Sequence, residues 1–326
     1  MVLEVLSLEY LLEVKDLKTH FYTKKGVIKA VNGISYGLKR GQTLSIVGES
    51  GSGKSVSVLS IMRLLPTYAK VNGKILFEGN NLLSYDDRKI KRIRGNRISM
   101  IFQDPMSSLN PTVKIGQQIM EPLLWHHKAS KREARQKAIQ MLTEVGIPSA
   151  KERFDQYPFE FSGGMRQRVM IAMALISEPE LLIADEPTTS LDVTVQAQIL
   201  QLIRKIQEKR GTSVILITHN LAVATMVSDY IVVMYGGRIV EKATTEEFLK
   251  NPLHPYTFGL LNSTPVLKSR KTLSPIPGQP PDLRELEDIG CPFAKRCPKK
   301  MPRCEKENPP EINLSNTHTV YCWLYT

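Results

Sequence analysis

Cysteine is missing from the first 290 positions of this 326-residue chain; the four present, Cys291, Cys297, Cys304 and Cys322, all fall in the last 36 residues. That distribution excludes thiols from the packing of most of the fold and points to one local job. Long apolar runs are missing too, since none approaches the roughly 18–20 residues that cross a bilayer. The apolar opening segment carries Glu4, Glu9 and Glu13 and lacks a basic leader, which sets it apart from a secretory signal. A cytosolic protein is expected. No internal repeat and no low-complexity tract occurs, so a solenoid or a disordered chain is excluded.

Acid is short as well: 32 Asp and Glu face 44 Lys and Arg, a net charge of +12. Arg88, Lys89, Lys91, Arg92, Arg94 and Arg97 form a stretch with six bases and no acid. Nucleic-acid binding, an anionic membrane surface and a solvated basic face all produce such a stretch, and charge alone does not choose among them.

What is present reads as alternating strand and helix. Thr43-Leu44-Ser45-Ile46-Val47 is a short apolar run fit for a buried parallel strand, followed by a Gly-rich loop and a helical stretch from Lys54 to Pro66. Buried runs recur at Leu181–Ala184 and Val214–Ile217, each ending in a polar residue at the carboxyl end of a strand, where open α/β sheets bind ligands. Val195, Ile199, Leu202, Ile203 and Ile206 follow helical spacing up to Gly211. Tyr230–Tyr235 and Arg238–Val240 flank Gly236-Gly237 as a hairpin. Residues 105–178 have a helical pattern and interrupt the strand series as an inserted subdomain. After residue 250, Pro252, Pro255, Pro265, Pro275, Pro277, Pro280 and Pro281 predict an extended, turn-rich tail.

Gly48-Glu49-Ser50-Gly51-Ser52-Gly53-Lys54-Ser55 fits the phosphate-loop pattern G-x-x-x-x-G-K-[ST]. Its glycines let backbone N–H groups curl around phosphate oxygens at a helix N-terminus. Lys54 is expected on the β- and γ-phosphates and the Ser55 hydroxyl on Mg²⁺. Asp185, ending an apolar strand, is placed to fix Mg²⁺ through water, and Glu186 to orient or deprotonate the attacking water. Ser162-Gly163-Gly164, with Ser162 as N-cap, makes a second anion site at a helix start. One chain does not easily bring both anion sites to one γ-phosphate, so a head-to-tail pair of subunits is expected.

With these motifs in this order, the chain resembles the ATP-binding-cassette ATPases over residues 11–245. The resemblance implies an α/β fold with a mainly parallel sheet core, an antiparallel N-terminal β subdomain and an inserted helical subdomain. It implies that Gln103, in Ile101-Phe102-Gln103-Asp104-Pro105, contacts Mg²⁺ and couples to a membrane partner. It also implies that Ser190-Leu191-Asp192 communicates across the dimer and that His219 contacts the γ-phosphate. An aromatic should stack on adenine; Phe21 and Tyr22 both fit, with Tyr22 preferred. The family signature Leu-Ser-Gly-Gly-Gln reads here with Phe161 and Met165 at its ends, which removes any hydrogen bond the usual Gln makes.

Four thiolates suit Zn²⁺ or an iron–sulfur cluster, and a reducing cytosol argues against disulfides. The spacing lacks the close C-x₂-C pairs of most structural zinc sites and leaves both open, with unliganded cysteines a third reading. Asn251-Pro252-Leu253-His254-Pro255-Tyr256-Thr257, Pro275-Ile276-Pro277-Gly278, Cys291-Pro292-Phe293 and Arg296-Cys297-Pro298 resemble the C-terminal extension of oligopeptide and dipeptide importer ATPases. That resemblance implies a [4Fe–4S] cluster on Cys291, Cys297, Cys304 and Cys322, with Zn²⁺ the alternative, standing in for a core that a proline-rich tail cannot build. It divides the chain into a cassette at 1–250 and an extension at 251–326.

The resulting expectation is a peripheral ATPase on the cytoplasmic face of the membrane, importing di- or oligopeptides. Its partners would be two transmembrane permeases, a related ATPase in a heterodimer and, indirectly, an extracytoplasmic substrate-binding protein, with no nucleic acid. The alternatives are nickel or another small solute as cargo, or a soluble cassette ATPase acting on nucleic acid or ribosomes. Only one cassette is present, and just 108 positions separate Lys54 from Ser162, too few for the long coiled coils of the chromosome and repair types. A redox sensor with ATP as a mere structural ligand is disfavoured by the presence of Glu186 and His219.

Overall fold

The computed structural model describes residues 9–104, 108–188, 192–263 and 275–326. The chain forms two compact units, Met1–Ser84 with Leu216–Thr326, and Tyr85–Ile215.

In the first unit the long strands Tyr10–Thr23 and Gly26–Lys39 pair antiparallel, and Ala69–Phe77 and Asn80–Asn81 extend the sheet on the Tyr10–Thr23 side. Leu12, Val14, Leu17 and Thr19 are buried on one face. The period of two breaks between Val14 and Leu17 because a bulge intervenes. There Asp16 turns to φ 45° and its N–H donates to Ser35 Oγ at 2.9 Å.

The second sheet of this unit is built on Thr43–Val47, every residue of which is buried, running parallel to Tyr230–Tyr235. Gly236 and Gly237, both at positive φ, turn the chain into Arg238–Thr244, as the two glycines predict. The C-terminal strands Thr319–Tyr321 and Glu311–Asn313 then add antiparallel to that edge. The tail is therefore less irregular than its prolines suggest. Pro255 opens the helix Pro255–Ser263, a position where its missing N–H is harmless. Tyr256 and Phe293, both almost wholly buried, pack into one core with Val47, Val233, Tyr235 and Phe248. The extension thus shares the core of the sheet, where sequence composition predicts that it has none.

In the second unit, Ile98–Ile101 runs parallel to Leu181–Asp185, with Ile101 opposite Ala184. Among the described residues, the α-helices Ile115–Trp125, Lys131–Glu144, Ala150–Arg153 and Gly163–Leu175 lie between those strands in sequence. Ile115, Ile119 and Leu123 on the first, and Ala134, Ala138 and Leu142 on the second, recur at helical spacing and are buried. Ser130 starts the second helix in a reciprocal capping box with Glu133. The helix Val193–Arg210 ends at Gly211, φ 67°, as its sequence predicts. The basic stretch lies largely on a short helix, Asp87–Ile93, that buries Ile90 and Ile93 and leaves Arg88, Lys89, Lys91 and Arg92 exposed. Arg97 is paired with Glu180 at 2.5 Å. That is the pattern of a solvated helix face.

Candidate functional site

The phosphate loop lies in the first unit, between the buried strand Thr43–Val47 and the helix Lys54–Ile61. Gly53 caps that helix at φ 97°, and a Cβ there would sit 2.1 Å from the Ala30 carbonyl oxygen, so only glycine fits. No side chain caps the helix start, the end of a helix at which negative charge is favoured. Lys54 is buried, and its Nζ donates to the carbonyls of Gly48 and Glu49, both at 2.8 Å, inside its own loop. Ser52 is buried beside it.

Of the two candidate aromatics in the same unit, Tyr22 is 47% exposed, with the Lys70 ammonium 4.9 Å from its ring centroid. Phe21 is half-buried and tilts against Tyr68 at 5.9 Å. His219 follows the buried strand Ser213–Thr218 and is exposed, while Asn220 turns inward to cap the helix Leu221–Val227.

In the second unit, Asp185 closes a strand that is buried throughout. Glu186 follows at φ 45°, a left-handed conformation that costs a non-glycine residue roughly 1–2 kcal/mol. The parallel register explains its partner. Ile101 faces Ala184, so two residues further on Gln103 meets Glu186, and Gln103 Nε2 donates to Glu186 Oε2 at 3.1 Å.

Ser162 caps the helix Gly163–Leu175, accepting from Met165 N–H at 3.4 Å. Around Gly163 there is open space, so its backbone is accessible. Phe161 is buried, which accounts for a bulky apolar residue before the serine. Asp192 caps the helix Val193–Arg210 through Val195 N–H at 2.9 Å. Ser190 and Leu191 lie outside the described residues. The same unit holds an open groove of about 920 Å³ lined by Ser108, Gln117, Glu121, Leu124, Trp125 and Met173, with Trp125 67% exposed.

The four cysteines are free thiols; Cys304 and Cys322 are buried, Cys291 and Cys297 half-buried. The Cys291 N–H donates to the Cys304 carbonyl at 2.7 Å. Burial pushes the Cys291 thiol up to about 12 and raises Cys297 and Cys322, with neighbouring thiols of the group adding to the rise in each. Among the described residues, however, no three His, Cys, Asp or Glu side chains are arranged to hold a metal ion. The thiols share one neighbourhood without forming a ready-made metal site, and the zinc and iron–sulfur expectations gain no direct support.

Sequence reading missed two buried groups. Glu241, fully buried, fastens the extension by accepting from the N–H groups of Leu253 and His254. Arg296, seen in sequence only as a neighbour of Cys297, reaches Glu49 in the phosphate loop. No local pattern announces either contact.

Comparison with known proteins gives a consistent answer. Residues 31–189 match the ABC transporter family, and residues 240–304 match the oligopeptide/dipeptide transporter C-terminal region. The chain is 53% identical over 320 residues to the dipeptide transport ATP-binding protein DppD of Bacillus subtilis, spanning 97% of this chain and 95% of that one. It is 48% identical over 302 residues to the oligopeptide transport ATP-binding protein OppD of Escherichia coli, spanning 92% and 89%. Among solved structures it is similar to the ATP-binding cassette MJ0796, seen as a dimer in a post-hydrolysis state with ADP and Pi. That match has a TM-score of 0.65 and 28% identity, and covers 72% of this chain and 98% of that one.

Proposed function

This chain belongs to the ATP-binding-cassette transporter ATPases of the oligopeptide/dipeptide importer type, and from that premise we propose how its residues hydrolyse ATP to drive peptide uptake through separate permease subunits. Residues 1–250 act as the cassette, with 105–178 as its helical subdomain, and 251–326 as the extension. The N–H groups of Gly48–Ser55 cradle the phosphates, and Lys54 exchanges the Gly48 and Glu49 carbonyls for phosphate oxygens. Tyr22, the more exposed of the aromatic pair, stacks on adenine in preference to Phe21. Ser55, Asp185 and Gln103 offer the oxygen donors that Mg²⁺ takes, and Mg²⁺ supplies charge neutralisation on the phosphates. His219 contacts the γ-phosphate. Ser162, Gly163 and Gly164 serve the ATP of a partner subunit, with the Ser190-Leu191-Asp192 loop across the same interface.

One observation carries the coupling: Gln103 Nε2 holds the Glu186 carboxylate at 3.1 Å. Glu186 is the group assigned to the attacking water, and Gln103 leads into the segment that lines the Trp125 groove. A permease helix seated in that groove would shift Gln103 and so free or tie Glu186. Among the described residues no helix is long and apolar enough to cross a membrane. Attachment through two permeases on the cytoplasmic face, beside a related ATPase subunit and downstream of an extracytoplasmic binding protein, follows from this reading. Glu186→Gln should retain ATP while turnover nearly stops; unchanged turnover would remove Glu186 from its role.

The four thiols would hold a [4Fe–4S] cluster, which needs four thiolates. Their common neighbourhood is the observation behind this assignment, and Zn²⁺ on the same four thiolates is the alternative. Such a cluster would hold the extension's turns together. Anaerobic purification followed by iron, sulfide and zinc analysis decides: about four irons and four sulfides per chain are expected, and stoichiometric zinc without iron would overturn the assignment.

A further inference from the structure

The C-terminal extension grips the phosphate loop at one residue, Glu49. The Nη1 and Nη2 atoms of Arg296 donate to the two carboxylate oxygens of Glu49 at 2.5 and 3.1 Å, a bidentate pair. The pair is largely withdrawn from water, with side-chain exposures of 7% for Arg296 and 26% for Glu49. Further donors of the same guanidinium go to the Pro277 carbonyl at 2.8 Å and the Tyr235 hydroxyl at 3.2 Å, which fix its position. On the other side of the residue, the Glu49 backbone N–H donates to the Tyr256 hydroxyl at 2.8 Å. Glu49 also offers its carbonyl to Lys54 Nζ. All three hydrogen-bonding groups of Glu49 are thus engaged, two of them by the extension.

Two physical consequences follow. A carboxylate in a loop that must receive a polyanionic phosphate opposes binding, and a buried guanidinium beside it cancels that charge. A glycine-rich loop held in place before its ligand arrives also avoids the entropic cost of ordering at binding.

We propose that Arg296, seconded by Tyr256, is a positioning residue for the phosphate loop, so that docking of the C-terminal extension on Glu49 sets the chain's affinity for nucleotide phosphates. This rests on the reading of Gly48–Ser55 as the ATP site. Arg296 itself meets no phosphate; it acts through Glu49.

The test is calorimetric titration of the full-length chain with Mg²⁺ and a non-hydrolysable ATP analogue. Wild type must bind; if it does not, the ATP-site reading fails before this proposal is reached. Arg296→Gln should raise Kd by about tenfold, the equivalent of about 1.4 kcal/mol, and Arg296→Lys by less. The double variant Glu49→Gln/Arg296→Gln removes the stranded charge but leaves the loop undocked, so it should recover only part of that loss. Tyr256→Phe keeps the buried ring and removes only the hydroxyl, so it reports on the loop with the extension folded; a Kd rise of about threefold, or ~0.6 kcal/mol, is expected. In the assembled transporter the KM for ATP should rise in Arg296→Gln with kcat little changed. An unchanged or tightened Kd in both Arg296→Gln and Tyr256→Phe, or full recovery in the double variant, would overturn the positioning role.

Discussion

Replacing Glu241 with alanine should release the C-terminal extension from the sheet. Glu241 lies in the strand Arg238–Thr244 and is 0% exposed. Its Oε1 accepts from Leu253 N–H at 2.9 Å and lies 2.8 Å from Nε2 of His318; its Oε2 accepts from His254 N–H at 2.8 Å. Those three donors stand at both ends of the extension, so one carboxylate ties the entry at Leu253 to the final hairpin at His318. Alanine would strand all three in a buried place. Each unsatisfied donor costs about 1–3 kcal/mol, and the carboxylate satisfies all three. A loss near 4 kcal/mol is large against a total stability of about 5–15 kcal/mol, yet compatible with local opening of the extension alone. Hydrogen exchange at the Leu253 and His254 amides reads it directly. At about 1.4 kcal/mol per decade, protection should fall by roughly 10³-fold, while the strand Thr43–Val47 keeps its own. Protection at Leu253 and His254 that stays within about threefold of wild type (~0.6 kcal/mol) would refute the reasoning.

Two further outcomes are expected. Burial holds His254 down to about 4, against an ordinary value near 6.5, with the Glu241 charge opposing the shift. As pH falls below 6.5 the unfolded chain takes up this proton and the folded one does not, so stability present above pH 6.5 is lost between about 6.5 and 4, at up to about 1.4 kcal/mol per pH unit. Protease resistance of the extension should decline over that window and decline less in His254→Asn; an identical pH profile in the variant would assign the effect to other groups. Cys304→Ser should open the extension locally, since Cys304 is buried and its Sγ accepts the Met301 N–H at 3.5 Å. Wild-type protease resistance in that variant would show that the thiol is dispensable for the fold of the tail.

The parts of the fold that were legible in sequence are those whose signal is local. Thr43–Val47, Leu181–Asp185 and Ser213–Thr218 are buried along their whole length, and such strands read as uninterrupted apolar runs. The Gly236-Gly237 turn, the Ser162 cap and the Gly211 stop each depend on a backbone geometry that only a few residue types support. The extension misled for the converse reason. Proline marks where a helix cannot continue, but Pro255 starts one, and nothing in residues 311–321 says which edge those short strands will join. Their place is decided by the sheet that receives them, together with the pockets that Tyr256 and Phe293 fill.

The same distinction divides the site. Lys54, Asp185 and Glu186 were singled out because phosphate chemistry demands particular side chains at fixed offsets from a phosphate loop and a strand end, and Gln103 because the family resemblance implies it. The register that sets Ile101 opposite Ala184 then accounts for the Gln103–Glu186 contact without further assumption. Glu49 occupies one of the unspecified positions of the phosphate-loop pattern, where composition carries no instruction. Its partner lies 247 positions away and was visible only as a basic residue before a cysteine. Yet an acidic residue in a loop built for anions is itself a local anomaly. Consistency across levels calls for a compensating cation, and a carboxylate partly withdrawn from water is favoured by pairing. The anomaly was readable in the sequence; the identity of its compensation was not, because it depended on where the extension docks.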